Sequence, residues 1–400
     1  MTVTHPIEET PVTGTVVAAY PNRWQVFVGA DSHSIPSGAT ALLETTLRGA
    51  VKKAYQADVL VGDAVTLDEV NWESGTARIS GVLDRTNHLS RPKIANIHQV
   101  LVVQSLVQPA LDLTHLDRLL THVALAGLPA VLVFTKADLV TEPELIATVR
   151  NVYGHQLGYT LACISKEPCS LADSLSVVQE WLAGKRTVLA GESGVGKSTL
   201  LNRLNPQLAL QVGEVSARAA RGQHTTRHVQ LVNVAESTQE PAWVADTPGF
   251  SQLSFEHIEA AAIERAFRDF DAHRAQCEYP NCLHPPVETS EDAKTEDVGI
   301  VARCGVRAAM EVGVIAQSRW DSYQRLVMEG LAGKEDRRQR SQKSEYGAKF
   351  LQKKGGIAHQ RVRLDEHLRG DSRRKARQAV QPGMGSVREW TQELDDDDDH

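Results

Sequence analysis

Residues 187 to 199 read TVLAGESGVGKST, a short apolar run of strand type (Thr187 to Ala190) followed by Gly191, Glu192, Ser193, Gly194, Val195, Gly196, Lys197 and Ser198. These eight residues fit the pattern G-x-x-x-x-G-K-[ST] without mismatch. Thr199, Leu200, Leu201 and Leu204 then begin an apolar helical pattern. A strand, a glycine-rich turn and a helix in direct succession build a phosphate cradle. The glycines let successive backbone N–H groups point inward, and the helix adds the positive end of its dipole. Lys197 is placed to bridge β- and γ-phosphates, and the Ser198 hydroxyl to ligate Mg²⁺. A ligand-free glycine turn would need neither the strand before it nor the apolar helix after it.

The same strand type recurs upstream. VLVVQ at 100–104 and AVLVFT at 130–135 are near-continuous apolar runs, as parallel strands covered on both faces require. Leu116, Leu119, Leu120, Val123 and Leu125 recur at helical spacing between the first two, and Leu171 to Leu182 do so before the phosphate loop. The expectation is a doubly wound α/β domain. Residues 12–85 read differently, with about five short β-type runs at close spacing, and predict a small β-barrel of oligonucleotide-binding type. Arg48, Lys52, Lys53, Tyr55 and Trp24 suit backbone contact and base stacking on its surface; equally, the aromatics suit a core and the charges a solvated face.

Four hundred residues accommodate two or three domains. No apolar run reaches the length of about 18 residues that a membrane span requires, and MTVTHPIEETP lacks the basic and apolar regions of a secretion signal. Five cysteines, three of them at 277, 282 and 304, point to a reducing cytoplasm and a metal site. The net charge of −7 hides a basic stretch from Lys334 to Arg388 and an acidic run from Asp395 to Asp399.

The second strand ends in Thr135, Lys136, Ala137 and Asp138, which resembles the guanine-reading N-K-x-D element with Thr in place of Asn. A carboxylate at 138 accepts from the N1 and N2 donors of guanine, whereas adenine offers no matching pair there. Ser165, after the apolar run 161–164, is the candidate for a second base-contacting loop. Asp246, Thr247, Pro248 and Gly249 have the D-x-P-G form of a GTPase switch, with Asp246 reaching Mg²⁺ through water and the Gly249 N–H touching the γ-phosphate. Gly222 to Thr226 lie in an earlier loop, where one of two threonines, Thr226 rather than Thr225, is expected to complete the Mg²⁺ shell. All five loops of a GTPase are present, but the base-reading loops precede the phosphate loop and the switches follow it.

That rotated order, between a barrel and a Cys/His cluster, resembles the circularly permuted small-ribosomal-subunit biogenesis GTPase A family (RsgA-type) over roughly residues 12–330. Leu47-Arg48-Gly49, Val61-Gly62-Asp63, Arg91-Pro92 and Asn96-Ile97 belong to the likeness. The resemblance implies an enzyme that hydrolyses GTP with Mg²⁺, is stimulated by the small ribosomal subunit, grips its rRNA with barrel and metal domain, and leaves it late in maturation. It implies a cytoplasmic protein, taken here as a monomer, with no membrane partner.

Phe250 follows Gly249, where Ras-like enzymes carry a water-orienting glutamine. His224 matches the histidine to which the family assigns that role, and its imidazole suits it; packing or RNA contact is the alternative. Cys277, Cys282, His284 and Cys304 supply three thiolates and one imidazole for a closed structural Zn²⁺ site. The 19 residues between His284 and Cys304 exceed the family gap, so the acidic stretch 285–299 is expected to loop out. The expected domains are a tail (1–11), the barrel (12–85), a permuted GTPase domain (86–253), a mainly helical zinc-binding domain (254–333) and a flexible basic tail with an acidic end (334–400). Two rival functions are a nucleotide-gated RNA-binding scaffold with negligible turnover, motivated by Phe250, and an ATP-dependent enzyme, which Asp138 disfavours.

Overall fold

The computed structural model describes residues 11–29, 35–36, 41–49, 59–90, 92–208, 229–235, 241–246, 254–284 and 304–351. The chain divides into a compact unit, residues 1–338, and a second unit, residues 339–400. Strands β1 (Val12–Tyr20), β2 (Arg23–Phe27), β3 (Leu42–Leu47), β4 (Ala64–Asn71) and β5 (Thr76–Val82) close a barrel in the order β1-β2-β3-β5-β4. Alternation drives it: Val16, Val26, Leu43, Val65 and Ile79 point inward and are fully buried. Trp24 is buried in that core, so it serves packing and not base stacking. Arg48 pairs with Asp68 at 2.7 Å on the exterior, while Lys52 and Tyr55 lie outside the described residues.

A hairpin of β6 (His88–Ser90) and β7 (Lys93–Ala95) leads into the second domain. The junction explains the Val61-Gly62-Asp63 and Asn96-Ile97 motifs. Gly62 has φ +91°, and a Cβ there would lie 2.0 Å from the Ala95 carbonyl oxygen, so only glycine fits. Asn96 Nδ2 donates to the Gly62 carbonyl at 3.0 Å, and Arg85 donates to the buried Asp63 at 2.7 Å.

Six strands form the second sheet: β8 (Gln99–Ser105), β9 (Ala130–Thr135), β10 (Thr160–Cys163), β11 (Arg186–Ala190), β12 (Leu231–Asn233) and β13 (Trp243–Asp246), in the order β10-β9-β8-β11-β13-β12. All pairings are parallel except β12 with β13. Every residue of β8 is buried, as its unbroken apolar run predicts. Helix α1 (Leu113–Leu125) and the helical stretch of α2 (Pro143–Val149) with its π-type continuation Arg150–Gln156 cover one face. Helices α3 (Leu175–Leu182) and α4 (Lys197–Leu204) cover the other. The barrel meets this sheet through Phe27, whose ring packs edge-on to Trp243 at 5.1 Å, and through a bridge between Ala18 and Gln230.

The last part of the compact unit is helical: α5 (Ala260–Ala266), α6 (Asp271–Arg274), α7 (Gly305–Glu311) and the portion up to Arg338 of α8 (Gln317–Leu351). Phe255, Ile263, Phe267, Phe270, Val306, Tyr323 and Leu326 are its core. Helix α8 runs into the stretch whose composition reads as a tail, because Glu, Lys, Arg, Gln and Ala favour helix without an apolar stripe. This domain docks on α1. Arg319, 3% exposed, donates to Asp117 at 2.7 Å and to Asp269 at 2.9 Å, and Tyr153 donates to the same Asp117 at 2.9 Å. Burial raises the Asp117 pKa, with Arg319 opposing.

Arg118 pairs with Glu329 at 2.5 Å, and the His122 ring packs on Phe255 at 4.2 Å. Burial, then the charge of Arg118, lowers the His122 pKa to about 4. The unfolded chain therefore binds a proton that the folded one refuses between about pH 6.5 and 4, so stability present above that window is lost as pH falls through it. The contribution is below about 3 kcal/mol, because His122 is partly exposed. Relative to wild type, His122→Gln is expected to gain stability as pH falls from about 7 to about 4.5, measured by urea unfolding.

Candidate functional site

The phosphate-loop motif sits where the sequence places it, between β11 and α4. Gly191 has φ +141°, and a Cβ there would lie 2.2 Å from the Val103 carbonyl, so the loop passes over β8 at a distance no side chain permits. Ser193 and Gly194 form the exposed tip, while Val195 and Ser198 are buried. Lys197 starts α4, and its Nζ donates to the carbonyls of Gly191 at 2.9 Å and Glu192 at 2.6 Å. Thr199 lies in the first turn of α4, where free N–H groups and the helix dipole favour an anion.

The loop expected to read the base is joined to this cradle. Thr135 Oγ1 donates to the Val195 carbonyl at 2.5 Å. Lys136 adopts a left-handed backbone, φ +63°, which turns its side chain over the phosphate loop; Nζ donates to the Gly194 carbonyl at 2.9 Å and also to the Gln108 carbonyl. Ala137 is buried and its N–H donates to the Ile164 carbonyl at 3.1 Å. Asp138 accepts from the Lys166 N–H at 3.2 Å, which brings the 135–138 loop and the loop of Ser165 together. The Thr in place of Asn thus still ties the two loops, through its hydroxyl.

Sequence reasoning missed three supports of this site. Arg203, in the last turn of α4, donates to the Ser165 carbonyl. Gln108 supplies a carbonyl to Lys136, and His115 Nδ1 lies 3.7 Å from Glu192. None belongs to a motif. A basic residue in the last turn of a helix is the one signal that could have pointed to Arg203.

His224, Thr226, Gly249 and Phe250 lie outside the described residues, as does the side chain of Asp246. The backbone of Asp246 ends β13, paired with Leu189 of β11.

Cys277, Cys282, His284 and Cys304 converge although the first and last are 27 positions apart, their ligand atoms all within 4.8 Å of one another. Sulfur separations are 3.9 Å (Cys277 to Cys304) and 4.0 Å (Cys282 to Cys304), and His284 Nδ1 lies 3.3 Å from Cys304 and 3.7 Å from Cys277. Tetrahedral zinc with ordinary bond lengths requires about 3.8 Å between sulfurs and about 3.6 Å from nitrogen to sulfur, so the donor set fits the ion. Residues 285–299, expected to loop out, lie outside the described residues. Burial pushes the Cys304 thiol up to about 12 and raises Cys282. A cation must therefore draw off these protons, and metal loading releases them.

A nucleotide cradle on a parallel sheet, base loops ahead of it in the chain, a closed barrel before them and a Cys₃His cluster after them define a circularly permuted GTPase. The RsgA GTPase family model matches residues 82–256. The small ribosomal subunit biogenesis GTPase RsgA of Alkaliphilus metalliredigens is 36% identical over 270 residues, covering 68% of this chain and 85% of that protein. The protein of the same name from Geobacillus thermodenitrificans is 37% identical over 287 residues, covering 70% and 88%. Among solved structures, YjeQ from Thermotoga maritima matches with TM-score 0.61 and 27% identity over 80% of this chain and 99% of that one. YloQ, described as a circularly permuted GTPase, matches with TM-score 0.61 and 26% identity over 82% and 98%. The chain belongs to the RsgA GTPase family.

Among the described residues no helix is long and apolar enough to cross a membrane.

Proposed function

We propose that this chain is a GTPase of small-ribosomal-subunit maturation that binds the subunit and its rRNA, hydrolyses GTP to GDP and phosphate, and leaves as a consequence. We assign the barrel to residues 12–85, the GTPase domain to 86–253 and the zinc-binding domain to 254–333, acting as a cytoplasmic monomer. The observation that carries the reading is the tie between loops: Thr135 and Lys136 bind phosphate-loop carbonyls, and Asp138 is held beside Ser165. Recognition of the base is thereby coupled to the placement of the phosphates.

In this reading Asp138 accepts from guanine, Ser165 borders the base, and the backbone of Gly191 to Gly196 with Lys197 surrounds the phosphates. Ser198, Thr226 and, through water, Asp246 would hold Mg²⁺, which would supply positive charge to the phosphates. Gly249 senses the γ-phosphate. Cys277, Cys282, His284 and Cys304 hold a structural Zn²⁺, which supplies folding energy to the helical domain.

Phosphate release with and without purified small subunits tests the assignment. Strong stimulation is expected; tight GTP-dependent binding with no stimulation favours the scaffold reading that Phe250 motivates. A phenylalanine offers no hydrogen bond to attacking water, so we assign that task to His224. His224→Ala should leave GTP affinity nearly intact and lower turnover at saturating subunit by roughly 10²-fold. Full recovery of single-turnover hydrolysis at saturating subunit would remove His224 from the mechanism.

A further inference from the structure

Glu264, on α5, has no part in any motif, yet it is 7% exposed and faces the metal centre. His284 Nε2 lies 3.1 Å from Glu264 Oε1, on the opposite side of the ring from Nδ1, which faces the sulfurs of Cys304 at 3.3 Å and Cys277 at 3.7 Å. Arg274 Nε donates to the same Glu264 oxygen at 2.5 Å, and its terminal nitrogens donate to the Glu264 carbonyl at 2.8 Å and to Asp271. A carboxylate paired with an arginine is an acceptor, so the facing imidazole nitrogen must carry the proton; two lone pairs at this separation would repel.

We infer that Glu264 is a positioning residue of the metal centre: it holds the His284 proton on Nε2, so that the Nδ1 lone pair is directed at the ion.

The rest of the environment prevents the ring from choosing another orientation. His284 is 1% exposed with a left-handed backbone, φ +47°, a conformation a non-glycine residue keeps only when its surroundings enforce it. Gln324, on α8, donates to the His284 carbonyl at 2.7 Å, and Tyr323 donates to the Leu283 carbonyl at 2.7 Å. The Phe270 ring meets the imidazole edge-on at 5.6 Å. With the backbone held and the rings of Phe270 and Tyr323 beside the imidazole, the proton position is the remaining freedom, and among the described residues Glu264 is the acceptor that faces Nε2. A carboxylate acceptor also makes the imidazole a stronger donor to a metal, and removing such a partner typically costs 10–100-fold in metal affinity.

The inference rests on the reading of Cys277, Cys282, His284 and Cys304 as a zinc site, and the test separates the two. Zinc affinity of the full chain is measured by competition with a chromophoric chelator, and the His284 tautomer by ¹⁵N NMR of the zinc-loaded protein. If the wild-type chain takes up no zinc, the zinc reading itself fails. If it does, Glu264→Ala should bind zinc roughly 10–100-fold more weakly. Glu264→Gln, which keeps the shape and a neutral acceptor oxygen, should lose less and retain the Nε2–H signal; it also serves if Glu264→Ala does not fold. Arg274→Met removes the ion pair but leaves the carboxylate on His284, so its zinc affinity should fall by less than about threefold. Wild-type affinity in Glu264→Ala overturns the inference, and so does an equal loss in Arg274→Met.

Discussion

Lys197→Ala should lower subunit-stimulated GTP turnover by roughly 10³-fold or more, the largest effect expected of any single substitution in this chain. The transferring phosphoryl group spreads negative charge over its oxygens, and Lys197 is the cation that the phosphate loop itself provides. In the structure its Nζ donates to the carbonyls of Gly191 at 2.9 Å and Glu192 at 2.6 Å, two contacts that hold the ammonium against the loop. Alanine removes that charge and the donor that holds those two carbonyls. Lys197→Arg should not rescue, because a planar, delocalised guanidinium cannot take the place of a compact ammonium. Multiple-turnover phosphate release at saturating small subunit, paired with GDP affinity, checks both variants. Turnover within tenfold of wild type in Lys197→Ala would refute the assignment of the loop.

How legible the fold was depends on where each segment's environment is set. The runs at 100–104, 130–135 and 187–190 announced parallel strands because both their faces are buried, so most positions had to be apolar, with Gln104, Thr135 and Thr187 the buried polar exceptions. The Cys₃His cluster was equally legible, because thiolate ligands at close spacing have few other uses. By contrast, the helical stretch 143–156 was not anticipated. Its core side chains are few, Ile146, Val149 and Tyr153, and the chain changes helical pitch between them. Trp24 shows the limit from the other side: a large aromatic in a barrel strand fits a stacking surface or a core, and only the register, with Trp24 opposite Thr45, shows that it points inward.

The contacts that assemble the site were the least legible. Thr135 and Val195 are 60 residues apart, and Glu264 and His284 are 20 apart; a hydroxyl or a carboxylate becomes informative only when the fold supplies its partner. The same holds for domain coupling. The second switch motif, Asp246 to Gly249, directly precedes the domain expected at 254–333. The structure adds that residues just beyond it are anchored to the GTPase body: the Phe255 N–H donates to Glu329 at 2.7 Å, and Arg118 of α1 binds the same carboxylate. On the other side of the sheet order, Trp243, at the start of the strand that ends at Asp246, packs on Phe27 of the barrel. Both flanking domains therefore touch segments adjoining the switch motifs.

Asp138→Asn should lower the preference for GTP over ATP by roughly 10²-fold, the second large effect expected. Guanine presents two donors, N1–H and the N2 amino group, and a carboxylate accepts both. An amide presents one oxygen and one NH₂ group, so one of the two contacts becomes donor against donor. The structure sharpens the outcome, since the Lys166 N–H already donates to Asp138 Oδ1 at 3.2 Å. In Asp138→Asn the amide oxygen is drawn to Lys166, and the NH₂ group turns toward the base. Xanthosine triphosphate, which carries a carbonyl where guanine has its amino group, should then bind better to the variant than to wild type. The Thr135 and Lys136 contacts to the phosphate loop do not involve the carboxylate, so phosphate binding should persist and the loss should fall on selectivity. Competition of GTP, ATP and xanthosine triphosphate against a fluorescent nucleotide measures it, and an unchanged GTP-to-ATP ratio would reject the base-reading role of Asp138.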